Sequence, residues 1–152
     1  EHFFPLPEAD DLQKSAESEG RELVLAFVPD IEITVRLPTG KSYALSNSAT
    51  NVPKGSMLDF RVANYGDAPV GSLVRWVVRN EGAAAEAAND LGHFGGLGHE
   101  RLNESAEYRG RHFMDVSIMA HGRLIGLRRV PVSIIANSVV RGAAKRLFRR
   151  RN

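Results

Sequence analysis

The 152-residue sequence predicts an all-β fold: an antiparallel β-sandwich with one short helical segment and a basic C-terminal tail. Three observations predict it. Five segments alternate apolar and polar residues with the period of two that a half-buried strand requires. Gly, Pro and Asn cluster between them as turns. A single tryptophan, Trp76, lies in the middle of one alternating segment, where it can anchor a core between two sheets.

The elements follow in chain order. Residues 1–21, within "EHFFPLPEADDLQKSAESEGRE", are acidic and Pro-containing without a sustained period, and read as a linker with one helical turn near Asp11 to Ser18. The sandwich is expected over residues 22–136. In "IEITVRL", Ile31, Ile33, Val35 and Leu37 share one face, with Glu32, Thr34 and Arg36 on the other. "PTGK" follows as a turn in which Gly40 is free to take a positive φ. "SMLDFRVANYGD" sets Leu58, Phe60 and Val62 against Asp59 and Arg61. "GSLVRWVVRNEG" sets Val74, Trp76 and Val78 against Arg75 and Arg79, a pair that reads as a solvated strand face. Ala83 to Ala88 are helix formers, enough for one or two turns. "RGRHFMDVSIMA" aligns Met114, Val116 and Ile118, and His121-Gly122 is a two-residue turn. "RLIGLRRVPVSIIA" closes the series; Pro131 cannot donate to a ladder, so an edge position or a bulge is expected there. Residues 137–152 form a basic tail with apolar Val139, Val140, Ala143, Leu147 and Phe148, compatible with a short amphipathic helix.

Charge and composition exclude several classes. The net charge of +2 averages two different regions. The tail carries six basic residues and no acid, so 14 basic against 18 acidic residues leave the body at about −4. A mildly acidic body with a basic tail is not the footprint of a nucleic-acid-binding domain, whose positive charge would line the folded face, and no sequence-specific nucleic acid is expected as a partner. The tail offers an anionic membrane surface a weak electrostatic contact, and vesicle pelleting that survives deletion of residues 141–152 would remove that option. Without cysteine there is no disulfide, no thiol nucleophile and no Cys-based metal site, which fits a reducing, cytoplasmic setting. No stretch is long and apolar enough to span a bilayer or serve as a signal peptide. A chain beginning at Glu1 rather than Met is expected to be a piece of something longer.

The chemistry-bearing residues do not assemble an enzyme. No two of the five histidines have the i, i+4 spacing of a metalloprotease helix. His93 and His99 lie six apart in "GHFGGLG" and its flank; zinc there would need Glu100 or Glu104 as a third ligand. That glycine-rich stretch lacks the strand-before, helix-after context of a phosphate loop and reads as a flexible loop. No Gly-x-Ser-x-Gly elbow is present. Glu104 and Glu107, three apart in an extended segment, point to opposite faces and are poor acid/base partners. No cofactor is expected.

"WVVRNEGAAAEAANDLGH" and "ESAEYRGRHFMDVSIMAHGRLIGLRRVPVSI" resemble the adenylyl/guanylyl and SMODS C-terminal sensor domain of bacterial antiphage nucleotide-signalling proteins. Its pattern runs Trp-x-Val-x-Asn-x-Gly, then an Asn-x-Leu-Arg-Gly turn, then Glu-Ser/Thr-x-Tyr-x-Gly-x-His leading into a strand. Trp76, Val78, Asn80 and Gly82 match the first element, and Asn89 and Leu91 part of the second. Glu104, Ser105, Tyr108, Gly110 and His112 match the third, with one extra residue between Ser105 and Tyr108. The turn's Arg is absent: Gly92 and His93 stand there, so any role it has is vacant or passes to His93, Arg101 or Arg109. The resemblance covers about residues 22–136 and implies an immunoglobulin-like sandwich that senses a nucleotide or phage-derived ligand without catalysing a reaction. It also implies a fused or partner nucleotidyltransferase, cyclase or effector.

Asn80, Asn89, His93, Tyr108, Arg109 and His112 are the candidate ligand-binding residues; they would supply donors and one aromatic face near loop ends. A structural reading stands beside this one. Asn80 and Asn89 would cap turns, Tyr108 would hydrogen-bond a strand corner, and Gly110 would mark a bulge. The rival function is a domain that docks on its synthase or effector and binds no small molecule.

Overall fold

The computed structural model describes residues 26–136; the expected linker 1–21 and basic tail 137–152 lie outside the described residues. Within this span two sheets face each other. One has the order β2-β1-β4-β7, built from Ile31–Arg36 (β1), Ser42–Ser46 (β2), Met57–Val62 (β4) and Arg101–Ser105 (β7). The other runs β3-β9-β8-β5-β6, from Ala49–Pro53 (β3), Leu73–Asn80 (β5), Gly92–Leu97 (β6), Gly110–Ala120 (β8) and Arg123–Ile135 (β9). The one described α-helix is Ala83–Ala87 (α1), where the alanine run predicted it.

The alternation seen in the sequence becomes the inner faces of the sandwich. Ile31, Ile33 and Val35 of β1 and Leu58, Phe60 and Val62 of β4 are buried, and register pairs Ile33 with Phe60. Val74, Trp76 and Val78 of β5 and Met114, Val116 and Ile118 of β8 supply the facing layer. Phe60 and Trp76 meet across the gap with ring centroids 6.3 Å apart and planes tilted by 51°. The indole Nε1 donates to the carbonyl of His99 at 2.7 Å, so a fully buried Trp leaves no orphan donor. His121 and Gly122 both take positive φ (51° and 74°), the two-residue hairpin turn expected between β8 and β9.

Several expectations need correction. "SYALS" and "ATNVP" are strands that the sequence reading passed over: β2 is exposed at almost every residue, as an edge strand is, and so shows no alternation. β3 pairs with β9 in parallel, so the sandwich is not wholly antiparallel. Pro131 lies in β9, second from the edge rather than at it. The sheet accommodates it because the ladder with β3 starts only at Val132 and shifts register between Ala49 and Val52.

The glycine-rich stretch read as a loop is strand β6. Its glycines serve close packing instead of flexibility. A Cβ on Gly92 would sit 2.8 Å from the Val78 carbonyl oxygen, and one on Gly95 would meet the Leu102 side chain at 2.6 Å and Trp76 Cβ at 3.4 Å. Without side chains there, β6 can lie against β5 while Leu102 of β7 covers Trp76 from the other sheet.

Candidate functional site

The residues of the two sequence motifs converge at one end of the sandwich, on a carboxylate that sequence reasoning did not single out. Helix α1 ends through a hydrogen-bonded turn: Asn89 N–H donates to Glu86 O at 3.0 Å and Asp90 N–H to Ala85 O at 2.9 Å. Asn89 takes φ +55°, the left-handed conformation that this C-terminal cap requires and that Asn tolerates. The Asn80 side chain fixes the same turn, donating through Nδ2 to the Asp90 carbonyl at 2.9 Å. Together these bonds aim the Asp90 side chain at the β6 and β8 ends.

Two of the candidates reach that side chain. Tyr108 OH donates to Asp90 Oδ2 at 2.9 Å, and His93 Nδ1 lies 3.3 Å from Asp90 Oδ1. The other ring nitrogen of His93 is 3.0 Å from Glu104 Oε1 on β7, so this imidazole bridges the two sheets. The Asp90 carboxylate accepts the phenol's hydrogen bond and, with burial, pushes the Tyr108 pKa up to about 12, keeping the hydroxyl a donor.

His112 works underneath. Glu81 N–H donates to Nδ1 at 3.1 Å, and Nε2 lies 2.6 Å from the Tyr108 carbonyl oxygen, which requires an Nε2–H tautomer. The neutral ring is thereby satisfied on both sides. Burial lowers its pKa, against the opposing pull of the Tyr108 carbonyl and the Glu81 charge. His112 therefore joins the start of β8 to the segment that follows β5, with both ring nitrogens engaged. Backbone approach is close here too: a Cβ on Gly110 (φ +124°) would lie 3.3 Å from Glu81 O. Gly110 opens β8 in register with Ile134 and marks no bulge.

The candidates thus divide. Asn80, His93 and Tyr108 gather on Asp90, Asn89 closes the helix that presents it, and His112 supports Tyr108 from below. Arg109 is exposed, and no carboxylate pairs with it among the described residues. Arg101, a rival for the missing turn arginine, sits 3.9 Å from Asp59 on the four-stranded sheet, away from Asp90. His93 is the cation-capable group between acids. Asp90 was legible only as the variable position inside Asn89-Asp90-Leu91.

The network orients its groups on one another. Both carboxylates contact His93, on opposite ring nitrogens. Among the described residues no group of three His, Cys, Asp or Glu side chains could hold a metal ion. The zinc set considered around His93 and His99 is not assembled, since His93 is bridged by acids and His99 meets Trp76 through its backbone.

The two histidines respond oppositely to pH. Burial disfavours a charge on His93, but the Glu104 and Asp90 carboxylates outweigh it and raise its pKa above 6.5. Its stabilising contribution is full below 6.5 and is lost as pH rises through the raised folded value. His112, with a lowered folded pKa, contributes stability above 6.5 that is lost as pH falls through the depressed folded value. In a two-dimensional NMR titration the His93 ring is expected to titrate above, and the His112 ring below, an unfolded-state imidazole. A His93 midpoint at or below that reference would refute the clamp.

A family model, the adenylyl/guanylyl and SMODS C-terminal sensor domain, matches residues 15–135. A cyclic GMP-AMP synthase of Escherichia albertii is 29% identical over 151 residues, which cover 98% of this chain and 33% of that protein. The chain therefore spans about a third of the length of the relative it matches.

Proposed function

The chain belongs to the adenylyl/guanylyl and SMODS C-terminal sensor domain family, and on that premise we propose that it is the non-catalytic sensing module of a bacterial antiphage nucleotide-signalling protein. It works in the cytoplasm, fused to or partnered with a nucleotidyltransferase or cyclase. It recognises a nucleotide or phage-derived ligand at the Asp90 end of the sandwich. One observation carries the reading: the separate stretches that bear the family pattern, around residues 80–93 and 104–112, meet at Asp90, Asn80 on its carbonyl and His93 and Tyr108 on its carboxylate. Beside that ordered cluster Arg109 offers an exposed guanidinium, without a carboxylate partner among the described residues, suited to a phosphate.

Thermal-shift screening of cyclic and linear nucleotides tests it. A ligand present at 100 times its dissociation constant adds about 2.7 kcal/mol of stability. The matching nucleotide is expected to raise the melting temperature of the wild type and to raise that of Arg109→Ala far less. If no nucleotide shifts the wild type, and Arg109→Ala leaves the function of the intact signalling protein unchanged, the sensing site is lost as an idea.

A second reading has its own support. The polar atoms around Asp90 largely satisfy one another, as they would in a cluster that only rigidifies loops. On that reading the domain docks on its synthase or effector and binds no small molecule, and the same screen stays silent for every nucleotide.

A further inference from the structure

The near balance of charge in the described residues conceals a segregation between the two sheets. The strands of the four-stranded sheet carry three basic residues (Arg36, Arg61, Arg101) and three acidic ones (Glu32, Asp59, Glu104). The strands of the five-stranded sheet carry six arginines and a single acid, Asp115. That acid is spoken for: it is 2% exposed and held by Arg129 in a fork, Nε to Oδ1 at 2.7 Å and Nη2 to Oδ2 at 2.9 Å. By register Arg75, Arg79, Arg111 and Arg129 share the outer face of this sheet, where the strands hold no free carboxylate, while Arg128 lies opposite core-facing Val116.

The register places these arginines among apolar and aromatic side chains. Leu97, Arg75, Ser117 and Leu127 form one row across β6, β5, β8 and β9; Phe94, Val77, Asp115 and Arg129 form the next. Arg79 and Phe113 follow, then Arg111 beside Ser133. Phe94 is 58% exposed, with the Arg75 guanidinium 5.8 Å from its ring centroid. Arg129 lies 5.0 Å from the Phe113 centroid. The Nε of Arg79 is buried with no hydrogen-bond acceptor among the described residues, and its nearest carboxylate oxygen, on Asp115, is 3.7 Å away.

We propose that this face binds single-stranded nucleic acid without sequence preference. Arg75, Arg79 and Arg111 meet phosphates, and Phe94 with its stacked guanidinium forms a platform for a base. The chemistry is selective between anions. A phosphate chain answers the exposed guanidiniums of Arg75 and Arg111 and the partly exposed Arg79, and only a nucleic acid adds flat bases to stack on an exposed ring. A flat, two-layered patch of side chains on a sheet suits an unpaired strand, whose bases are open, better than a duplex. The proposal does not rest on the Asp90 site.

Fluorescence anisotropy with the full 152-residue chain and a labelled 15-nucleotide oligothymidylate tests it, against a duplex of equal length, polyglutamate and phosphatidylglycerol vesicles. The single strand is expected to bind more tightly than the other three. Phe94→Ala is expected to weaken binding by roughly tenfold, within the range for loss of one base stack. Arg75→Ala combined with Arg111→Ala should flatten the slope of log affinity against log salt by about 1.4, two phosphates at about 0.7 each for a single strand. All three positions lie on the outer face, so unchanged melting temperatures are expected to show that the fold persists. Tyr108→Phe should leave binding intact, which separates this face from the Asp90 end. Absence of binding at 50 mM salt overturns the proposal. So does binding unaltered by Phe94→Ala and by the double arginine variant, which would place the contact on the basic tail, and so does equal affinity for polyglutamate or vesicles.

Discussion

Asp115→Ala is expected to cost about 3–5 kcal/mol of folding stability, the scale for breaking a buried ion pair by removing one partner. The reason is geometric. Asp115 is 2% exposed and accepts both bonds of the Arg129 fork, while Arg129 itself is only 11% exposed in its side chain. Removing the carboxylate leaves a guanidinium held against Phe113 with its charge uncompensated, and takes away the carboxylate 3.7 Å from Arg79 Nε as well. Urea unfolding would show a lower midpoint at an unchanged slope. The pair Asp115→Leu with Arg129→Met should recover most of the loss, because apolar replacement of both partners is often neutral. A double variant no more stable than Asp115→Ala alone would show that the fork, and not the stranded charge, sets the cost.

Trp76→Ala should be comparably severe, about 3–5 kcal/mol for truncating a fully buried aromatic side chain. The ring fills the space between the sheets against Phe60, and its loss also leaves the His99 carbonyl without its donor. Trp76→Phe separates the two contributions. It keeps a ring in the gap but drops the indole N–H, so a smaller loss of about 1–3 kcal/mol is expected from the unsatisfied group and the lost volume. Since Trp76 is the chain's single tryptophan, wild-type emission reports this site alone and should be blue-shifted in the native state. Emission at the wavelength of free tryptophan in the folded protein would contradict its burial.

How much of this was legible in the sequence varied with the physics of each segment. β1, β4, β5, β8 and β9 bury one face, and burial writes itself as alternation; Ile31-Ile33-Val35 and Leu58-Phe60-Val62 are plain examples. β2 is mostly exposed, with only Leu45 half-buried against the core, and left no such trace. β6 misled because its glycines answer to packing partners distant in sequence, Leu102 and Trp76, which a local reading cannot see. The candidate site was half visible. Tyr108, His93 and Asn80 stood out by residue type and by their motifs, yet what joins them is the Asp90 carboxylate and carbonyl, presented by a helix cap. His112 looked like a ligand donor from its motif alone; its two backbone partners, Glu81 and Tyr108, are 31 and 4 residues away. Arg75 and Arg79 read as an ordinary wet strand face until register set Phe94, Phe113 and Arg111 around them.

The parallel pairing of β3 with β9 bears on how the chain reaches this state during synthesis. Ala49 finds its partner Val132 only after more than eighty further residues have been made, and Ala26 and Phe27 bond to Ile125 across a still longer gap. Contacts between such distant parts of the chain pay a large loop-closure entropy before they are rewarded, and they slow folding. At about 5–20 residues per second, β3 waits several seconds on the ribosome with neither edge paired. β9 is thus the strand that both locks the sheet and relieves an aggregation-prone edge, so a ribosome pausing before Arg123 would hold the nascent domain in its most vulnerable form.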